Sequence, residues 1–366
     1  MCPSIKPAGL EETMKKIPLR VGIAGFGVVG KRRHSYINQH PELKTVSVSD
    51  QYFKSHGILD SGITYHPDYR SLIEENIDIL FVCLPNYLAA DATIEGLAAG
   101  CHVFCEKPPG CTVHDIERVI QAEKRHPDQV LKYGFNHRYH DSVRKALEIV
   151  ASGKLGHVVN LRGTYGKSKI IPFSGGWRAQ RKYAGGGVLL DQGIHMVDLI
   201  RLFCSEFVEV KSFVSNAYWK HDVEDNAYAI MKDACGRIAM LHSSATQWQH
   251  RFVLDIALTE GFIELRGILS GSKSYGQETI VVGRRDESDY GTLREETFTY
   301  LEDNSWRDEI NEFADAAING LPIKAGSSSD AQKAMSIVYQ IYHSDKIWRT
   351  QYNIQDPKKV DSVNRG

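Results

Sequence analysis

Residues 19–37, LRVGIAGFGVVGKRRHSYI, constrain this chain more than any other segment, because their glycines stand where a strand must turn sharply into a helix. Leu19 to Ala24 is an apolar, β-rich run, and Gly25, Gly27 and Gly30 follow in the order GxGxxG, with Phe26, Val28 and Val29 between them. Gly25 permits the turn, Gly27 lets the backbone approach a pyrophosphate without a Cβ in the way, and Gly30 lets the helix pack on the strand. The free N–H groups and positive dipole end of that helix favour an anion. A second strand candidate, 44–49, ends at Asp50, twenty residues after Gly30, with Gln51 next. An acidic side chain at that distance accepts hydrogen bonds from both adenosine ribose hydroxyls and repels a 2′-phosphate. The segment therefore predicts a dinucleotide site that prefers NAD over NADP. Lys31, Arg32 and Arg33 are near enough to meet a phosphate. No basic residue directly follows Asp50, however, so the three are read as a solvated helix face.

At 366 residues the chain is long enough for two domains, and its 42% hydrophobic residues can fill substantial cores. A net charge of −1 gives no field for nucleic acid and no polybasic patch for a membrane, which leaves small molecules as the expected partners. The first seventeen residues contain neither an apolar run nor a small-residue cleavage pattern, and no later stretch is apolar for long enough to span a bilayer. The expected location is cytoplasmic. Seven cysteines, scattered and several in strand-like runs such as ILFVCLP, read as reduced thiols. Cys101, Cys105 and Cys111 match no zinc-ligand spacing, so no metal is expected.

From residue 19 to about 134, strand candidates at 19–25, 44–49, 78–84, 101–105 and 130–135 alternate with helix candidates at 30–39, 69–75, 88–99 and 112–126. That rhythm predicts a doubly wound parallel sheet. Beyond 135, helix candidates at 140–153 and 187–204 precede alternating segments from 207 to 300, which read as an antiparallel sheet. Helical spacing returns at 305–320 and 329–346. The fold class is α/β, divided into an extension over 1–17, a Rossmann domain over 18–135, a second α/β domain over 136–347 and a polar tail over 348–366.

The strand at 101–105 runs into Glu106, Lys107, Pro108, Pro109 and Gly110. Ligands of open parallel sheets bind beyond the carboxyl ends of the strands, which puts Lys107 beside the nicotinamide, able to place a cation on a substrate oxygen as charge develops. The plainer alternative is a solvated lysine in a turn. In GGGVLLDQGIHMVD, 185–198, helical spacing places Asp191, His195 and Asp198 on one face. Histidine beside a carboxylate is a natural general acid/base near neutral pH, and the alternative is a satisfied histidine with two helix-face carboxylates. The preceding glycines imply a close backbone approach. Arg178, Arg181 and Lys182 could receive a diphosphate or carboxylate, or form a solvated basic loop. Tyr165, His137 and Trp177 could stack on a sugar or base, or simply pack.

Taken in order, GFGVVG, LPN at 84–86, CEKP at 105–108, GFNHRY at 134–139, GGWR at 175–178 and GGGxxxDxGxHxxD resemble the glucose-fructose oxidoreductase, inositol dehydrogenase and rhizopine-catabolism family, called Gfo/Idh/MocA. The resemblance covers roughly 18–347. It implies a Rossmann domain joined to an α/β domain whose open-faced, mainly antiparallel sheet builds homodimers or homotetramers. Lys107 matches the family lysine between cofactor and substrate, and Asp191 and His195 match its acidic and acid/base positions. Leu84, Pro85 and Asn86 match the loop passing the nicotinamide ribose, and Glu106 the residue before the lysine. Asn136, Arg138, Tyr165, Trp177 and Arg178 fall where substrate is lined or supported. Two departures stand out. Ala89 replaces a histidine common three residues after the asparagine, and Pro109 makes a double proline that stiffens the turn.

The resemblance implies hydride transfer between nicotinamide and a secondary alcohol of a sugar, cyclitol or nucleotide-linked sugar. Two alternatives stay open: an enzyme whose tightly bound NAD is recycled within each turnover, and a noncatalytic sensor of the same fold.

Overall fold

The computed structural model describes residues 17–171, 175–270, 275–286, 288–289 and 291–357. The expected extension at 1–17, save Ile17, and the tail beyond 357 lie outside the described residues.

The N-terminal run builds β1 (Leu19–Ala24), α1 (Val28–Ile37), β2 (Leu43–Ser49), β3 (Gly57–Ile58), β4 (Thr64–His66), α2 (Tyr69–Ile73), β5 (Ile79–Val82), α3 (Asn86–Ala98), β6 (His102–Glu106), α4 (Val113–Arg125) and β7 (Leu131–Gly134). The sheet order is β3-β4-β2-β1-β5-β6-β7, parallel except for the β3–β4 pair. Strand order reverses between β1 and β5, so the carboxyl ends of these two strands border a crevice. The periodicity located the long elements and missed β3 and β4, which at two and three residues are too short to carry an alternation.

Next come α5 (Asp141–Ala151), β8 (Val158–Ser168), the single turn α6 (Arg181–Ala184), a π-helical turn over Leu189–Gly193 and α7 (Ile194–Phe203). The sheet strands follow: β9 (Phe207–Ser215), β10 (Asn226–Asp233), β11 (Ile238–Gln247), β12 (Arg251–Leu258), β13 (Gly261–Arg266), β14 (Glu278–Arg285) and β15 (Leu293–Tyr300). The second sheet has the order β15-β14-β13-β12-β8-β11-β10-β9 and is antiparallel apart from β8 with β11. One face carries the core. In β10 the side chains of Ala227, Ala229 and Met231 are buried, whereas Tyr228 and Ile230 point to the uncovered face with Phe213 and Val208 of β9.

The chain closes with α8 (Ser305–Asn319), α9 (Ser328–Ser344) and α10 (Lys346–Tyr352). The expected boundary at 135/136 assigns α8 to the second domain, yet Ile310, Phe313 and Ala314 pack on Val21, Ile23, Phe81 and Phe104 of the first sheet. Phe313 meets Phe81 edge-on at 5.7 Å. The expected polar tail is corrected as well: α10 buries Trp348 against Tyr342, and Ile354 is also buried. Two apolar residues in a polar context were too sparse to register as a pattern. Among the described residues no helix is long and apolar enough to cross a membrane, and the six described cysteines are unpaired.

Candidate active site

The turn after β1 is shaped by its neighbours. Gly25 has φ +92°, and a Cβ there would sit 2.4 Å from the carbonyl oxygen of Cys83. A Cβ on Gly30 would lie 2.0 Å from the carbonyl oxygen of Gly25, so this glycine is what allows α1 to start against β1. A Cβ on Gly27 meets nothing within 4 Å. It would project into a cleft of about 590 Å³ lined by Gly25, Gly27, Val28, Val29, Asp50, Gln51, Leu84, Pro85, Trp177 and Arg178, among others. Among the described residues no side chain caps α1, and Val28 is exposed at its start. An uncapped helix end with an apolar residue beside it, at the strand-order reversal, fits a dinucleotide. Phe26 turns away from the cleft, its ring edge-on to His34.

Asp50 lies in the cleft, its carboxylate accepting from the backbone N–H of Tyr52 at 3.2 Å. Sequence reasoning missed Arg70, which reaches the same cleft from α2, although both its Nε and Nη2 are held by Glu95 at 2.9 and 2.8 Å. The reading of Arg33 as solvated is overturned. Its side chain is 1% exposed, bonded to Glu106 and Glu309 at 2.7 Å each and sandwiched between Phe104 and Trp306. Arg32 also lies over Trp306, while Lys31 is exposed. Helical periodicity alone could not tell which of three consecutive cations faces inward. Glu106 is correspondingly committed to Arg33. Asn86 is buried, its amide donating to the carbonyl of Ala184 at 2.8 Å, so it ties the two domains together.

Lys107 follows β6, next to β5 in the sheet, and its Nζ donates to the backbone carbonyl of Asp191 at 2.5 Å. The two motifs, 84 residues apart, are thereby in contact. The glycine run before Asp191 makes its close approach to protein: a Cβ on Gly187 would lie 2.0 Å from the carbonyl oxygen of Glu224. The Glu224 carboxylate accepts from the N–H groups of Gly187 and Leu189 and from the hydroxyl of Tyr342. Asp191 is half-exposed, with its Oδ1 3.8 Å from Nε of Arg178. His195 is buried, and Nδ1 of its ring has no partner among the described residues. Burial, then the neighbouring His137, Lys107 and His140, push its pKa well below the ordinary histidine range.

The expected shared face of Asp191, His195 and Asp198 holds only in part. Asp191 lies in a π turn, so the α-helical spacing expected between it and His195 does not apply, while His195 and Asp198 both lie in α7. Asp198 instead pairs with Arg138 through two bonds of 2.6 Å, and Arg138 also reaches Asp330. Arg138 is thus a buried cation held by two carboxylates. Asn136 is likewise buried and donates to Ser305 Oγ at 3.1 Å, while the hydroxyl of Tyr165 bonds to His137. Trp177 and Arg178 do line open space, both in the dinucleotide cleft and in a smaller adjoining chamber with Asp191, Gln192 and Trp219. Gln192 and Trp219 carry no motif that could have singled them out. The Arg181 guanidinium lies over the rings of Tyr352, Tyr342 and Trp348. Lys182 sits over Tyr183. Among the described residues no group of three metal-ligating side chains comes together.

A doubly wound sheet with a glycine turn at its reversal point, closed over by a lysine-docked second α/β domain, defines a two-domain dinucleotide-binding protein. Residues 19–134 match the oxidoreductase family with an NAD-binding Rossmann fold, and residues 143–264 match the GFO/IDH/MocA C-terminal domain. The chain belongs to the Gfo/Idh/MocA oxidoreductase family. It is 30% identical to D-glucoside 3-dehydrogenase of Escherichia coli over 218 residues, 58% of this chain and 61% of that protein. Against myo-inositol 2-dehydrogenase of Thermotoga maritima the identity is 24% over 331 residues, covering 88% and 94% of the two chains. Levoglucosan dehydrogenase in complex with NADH superposes with a TM-score of 0.77 at 21% identity, over 90% of this chain and 98% of that one. Alignments with several curated relatives, including D-glucoside 3-dehydrogenase, span less than two thirds of those proteins' length.

Proposed function

We propose that this protein is an NAD-dependent dehydrogenase acting on a secondary alcohol of a sugar, glycoside or cyclitol. One observation carries the reading. The ammonium of Lys107 meets the Asp191 turn beside the dinucleotide cleft, with a buried histidine four residues further on. The relatives that oxidise glucosides, inositol and levoglucosan support that substrate class. Arg178, which lines both cleft and chamber, is the cation best placed for a phosphate or carboxylate, whereas the Arg181 guanidinium lies over three aromatic rings.

Bound nicotinamide dinucleotide supplies the hydride acceptor. The residues that would hold it are Gly25, Gly27, Val28 and Val29 along the turn, Asp50 and Gln51 beyond β2, and Leu84 and Pro85 beyond β5. Asp50 sets the preference for NAD, because its carboxylate repels a 2′-phosphate. Lys107 donates to the substrate oxygen and stabilises the alkoxide as it forms. His195, kept neutral by its surroundings, accepts the hydroxyl proton on a ring nitrogen. Asp191 accepts from neighbouring substrate hydroxyls, and Trp177 with Trp219 offers flat apolar faces to the C–H side of a sugar ring. Phe213, Tyr228 and Ile230 on the uncovered sheet face fit a homodimer or homotetramer assembled there.

Absorbance at 340 nm with NAD and a panel of glucosides, sugars and cyclitols tests the reading. Accumulating NADH supports a dehydrogenase, and a transient without accumulation points to internal recycling. If NAD raises the melting temperature but no candidate gives a signal, the protein is a sensor.

A further inference from the structure

A histidine base is ordinarily oriented by a hydrogen bond from its second ring nitrogen to a carboxylate or carbonyl. Among the described residues His195 has no such bond, since its Nδ1 is buried without a partner. What it has is a second imidazole laid on its face. The rings of His137 and His195 are 3.8 Å apart between centroids and 12° from parallel. Phe135 closes the edge of His195 at 6.2 Å.

His137 is fixed by a chain of hydrogen bonds whose direction is forced from one end. The Asp303 carboxylate can only accept, so Ser305 Oγ donates to it, at 2.6 Å. The one hydroxyl proton of Ser305 is then used, and its oxygen accepts from Asn136 Nδ2 at 3.1 Å. That leaves Asn136 Oδ1 facing His137 Nδ1 at 3.2 Å, so Nδ1 carries the proton. Burial, then His140 and Lys107, keep His137 neutral, so its Nε2 is an acceptor and the Tyr165 hydroxyl donates to it at 3.2 Å. The tautomer assigned on this logic locks the ring plane from both sides.

We propose that His137 is the positioning residue of the acid/base group: it orients His195 by face-to-face stacking, in the role a carboxylate hydrogen bond fills elsewhere. The proposal rests on the reading of His195 as the base. The arrangement has a chemical consequence, because a carboxylate partner would stabilise the imidazolium whereas a neutral ring pressed on its face excludes water and gives no counter-charge. The other charged or titratable groups acting on His195 are Lys107 at the end of β6 and His140 before α5. His140 is itself bonded to Glu278 at 2.7 Å, and Asp198, one turn on, is neutralised by Arg138. His195 is thereby held neutral, and competent as a base, at a pH below the usual histidine range.

The test compares His137→Ala, which removes the stacked face, with His137→Phe, which keeps a flat ring but cannot join the hydrogen-bond chain. His137→Ala lowers kcat/KM about 10²-fold, the cost of a misplaced catalytic group. It also moves the acid limb of the pH profile upward, toward the ordinary histidine value, as water reaches His195. His137→Phe keeps the low acid limb and stays within tenfold of the wild type. If both variants keep the wild-type limb and rate, or if both lose them equally, stacking is not what positions His195. NMR titration of the His195 ring in the protein without substrate gives the second readout, and NADH affinity with thermal melting shows that each variant is folded. Full activity in His195→Asn would overturn the base assignment, whereas the ring titration still judges the stack.

Discussion

The substitution Arg33→Met removes the cation from a buried cluster and leaves a similarly long apolar stem between Phe104 and Trp306. Glu309, at 0% exposure, then loses its 2.7 Å partner, with Lys132 the remaining nearby cation. Breaking a buried ion pair on one side costs about 3–5 kcal/mol, because a charge stays behind without compensation. That is roughly a 10²- to 10⁴-fold shift in the unfolding equilibrium. Glu106, 13% exposed, can recover some hydration and adds less. The sign with pH is fixed by Glu309. Burial raises its pKa from 4.5 to about 7 even with Arg33 holding it down, so its folded value lies above its unfolded one. Such a carboxyl costs stability as pH rises from the unfolded value through the folded one, and the cost is absent below both. Without Arg33 the folded value climbs further. The deficit of the variant relative to wild type is therefore small near pH 5 and grows toward pH 8. Urea unfolding followed by circular dichroism at the two pH values measures it, alongside the double variant Arg33→Met/Glu309→Gln, which recovers most of the loss. A deficit below about 1 kcal/mol at pH 8, equal deficits at both pH values, or no rescue by the second substitution would refute the reasoning.

Other expectations concern the site itself. Lys107→Ala lowers turnover by about two to four orders of magnitude while the dissociation constant for NADH moves only a few-fold, measured by steady-state kinetics and fluorescence titration. Gly27→Ala leaves the melting temperature of the apoprotein unchanged, since its Cβ enters open space, but weakens NADH binding; Gly30→Ala destabilises the fold because its Cβ meets the Gly25 carbonyl at 2.0 Å. Arg138→Leu costs about 3 kcal/mol by stranding Asp198, and in the folded fraction leaves KM for the sugar nearly as it was. Asp50→Ala lowers affinity for NAD more than for NADP, read from the ratio of the two dissociation constants.

The Rossmann half of the chain was legible because its signals are local. Strand, glycine turn, helix and acidic strand end follow within about thirty residues, and each glycine has its own steric reason. EKP and DxGxH were legible as motifs, but their contact, Lys107 on the Asp191 carbonyl, comes into view only with the fold. Arg33, Arg138 and Arg181 show where reading by residue type fails. A cation on a helix or in a loop is exposed by default, and whether it is buried depends on carboxylates and aromatic rings more than fifty residues away.

By itself, the sequence determined that a dinucleotide turn exists and where it lies, because those features depend on short-range spacing and on the steric demands of glycine; the lysine, aspartate and histidine beside it were expectations from the resemblance of EKP and DxGxH to the family's motifs. Only the tertiary structure decided that α8 returns to the first sheet, that Asp198 belongs to Arg138 rather than to His195, and that His137 lies flat on His195. Each of these is a pairing of distant side chains chosen by burial, and burial is a property of the assembled fold that no local spacing encodes.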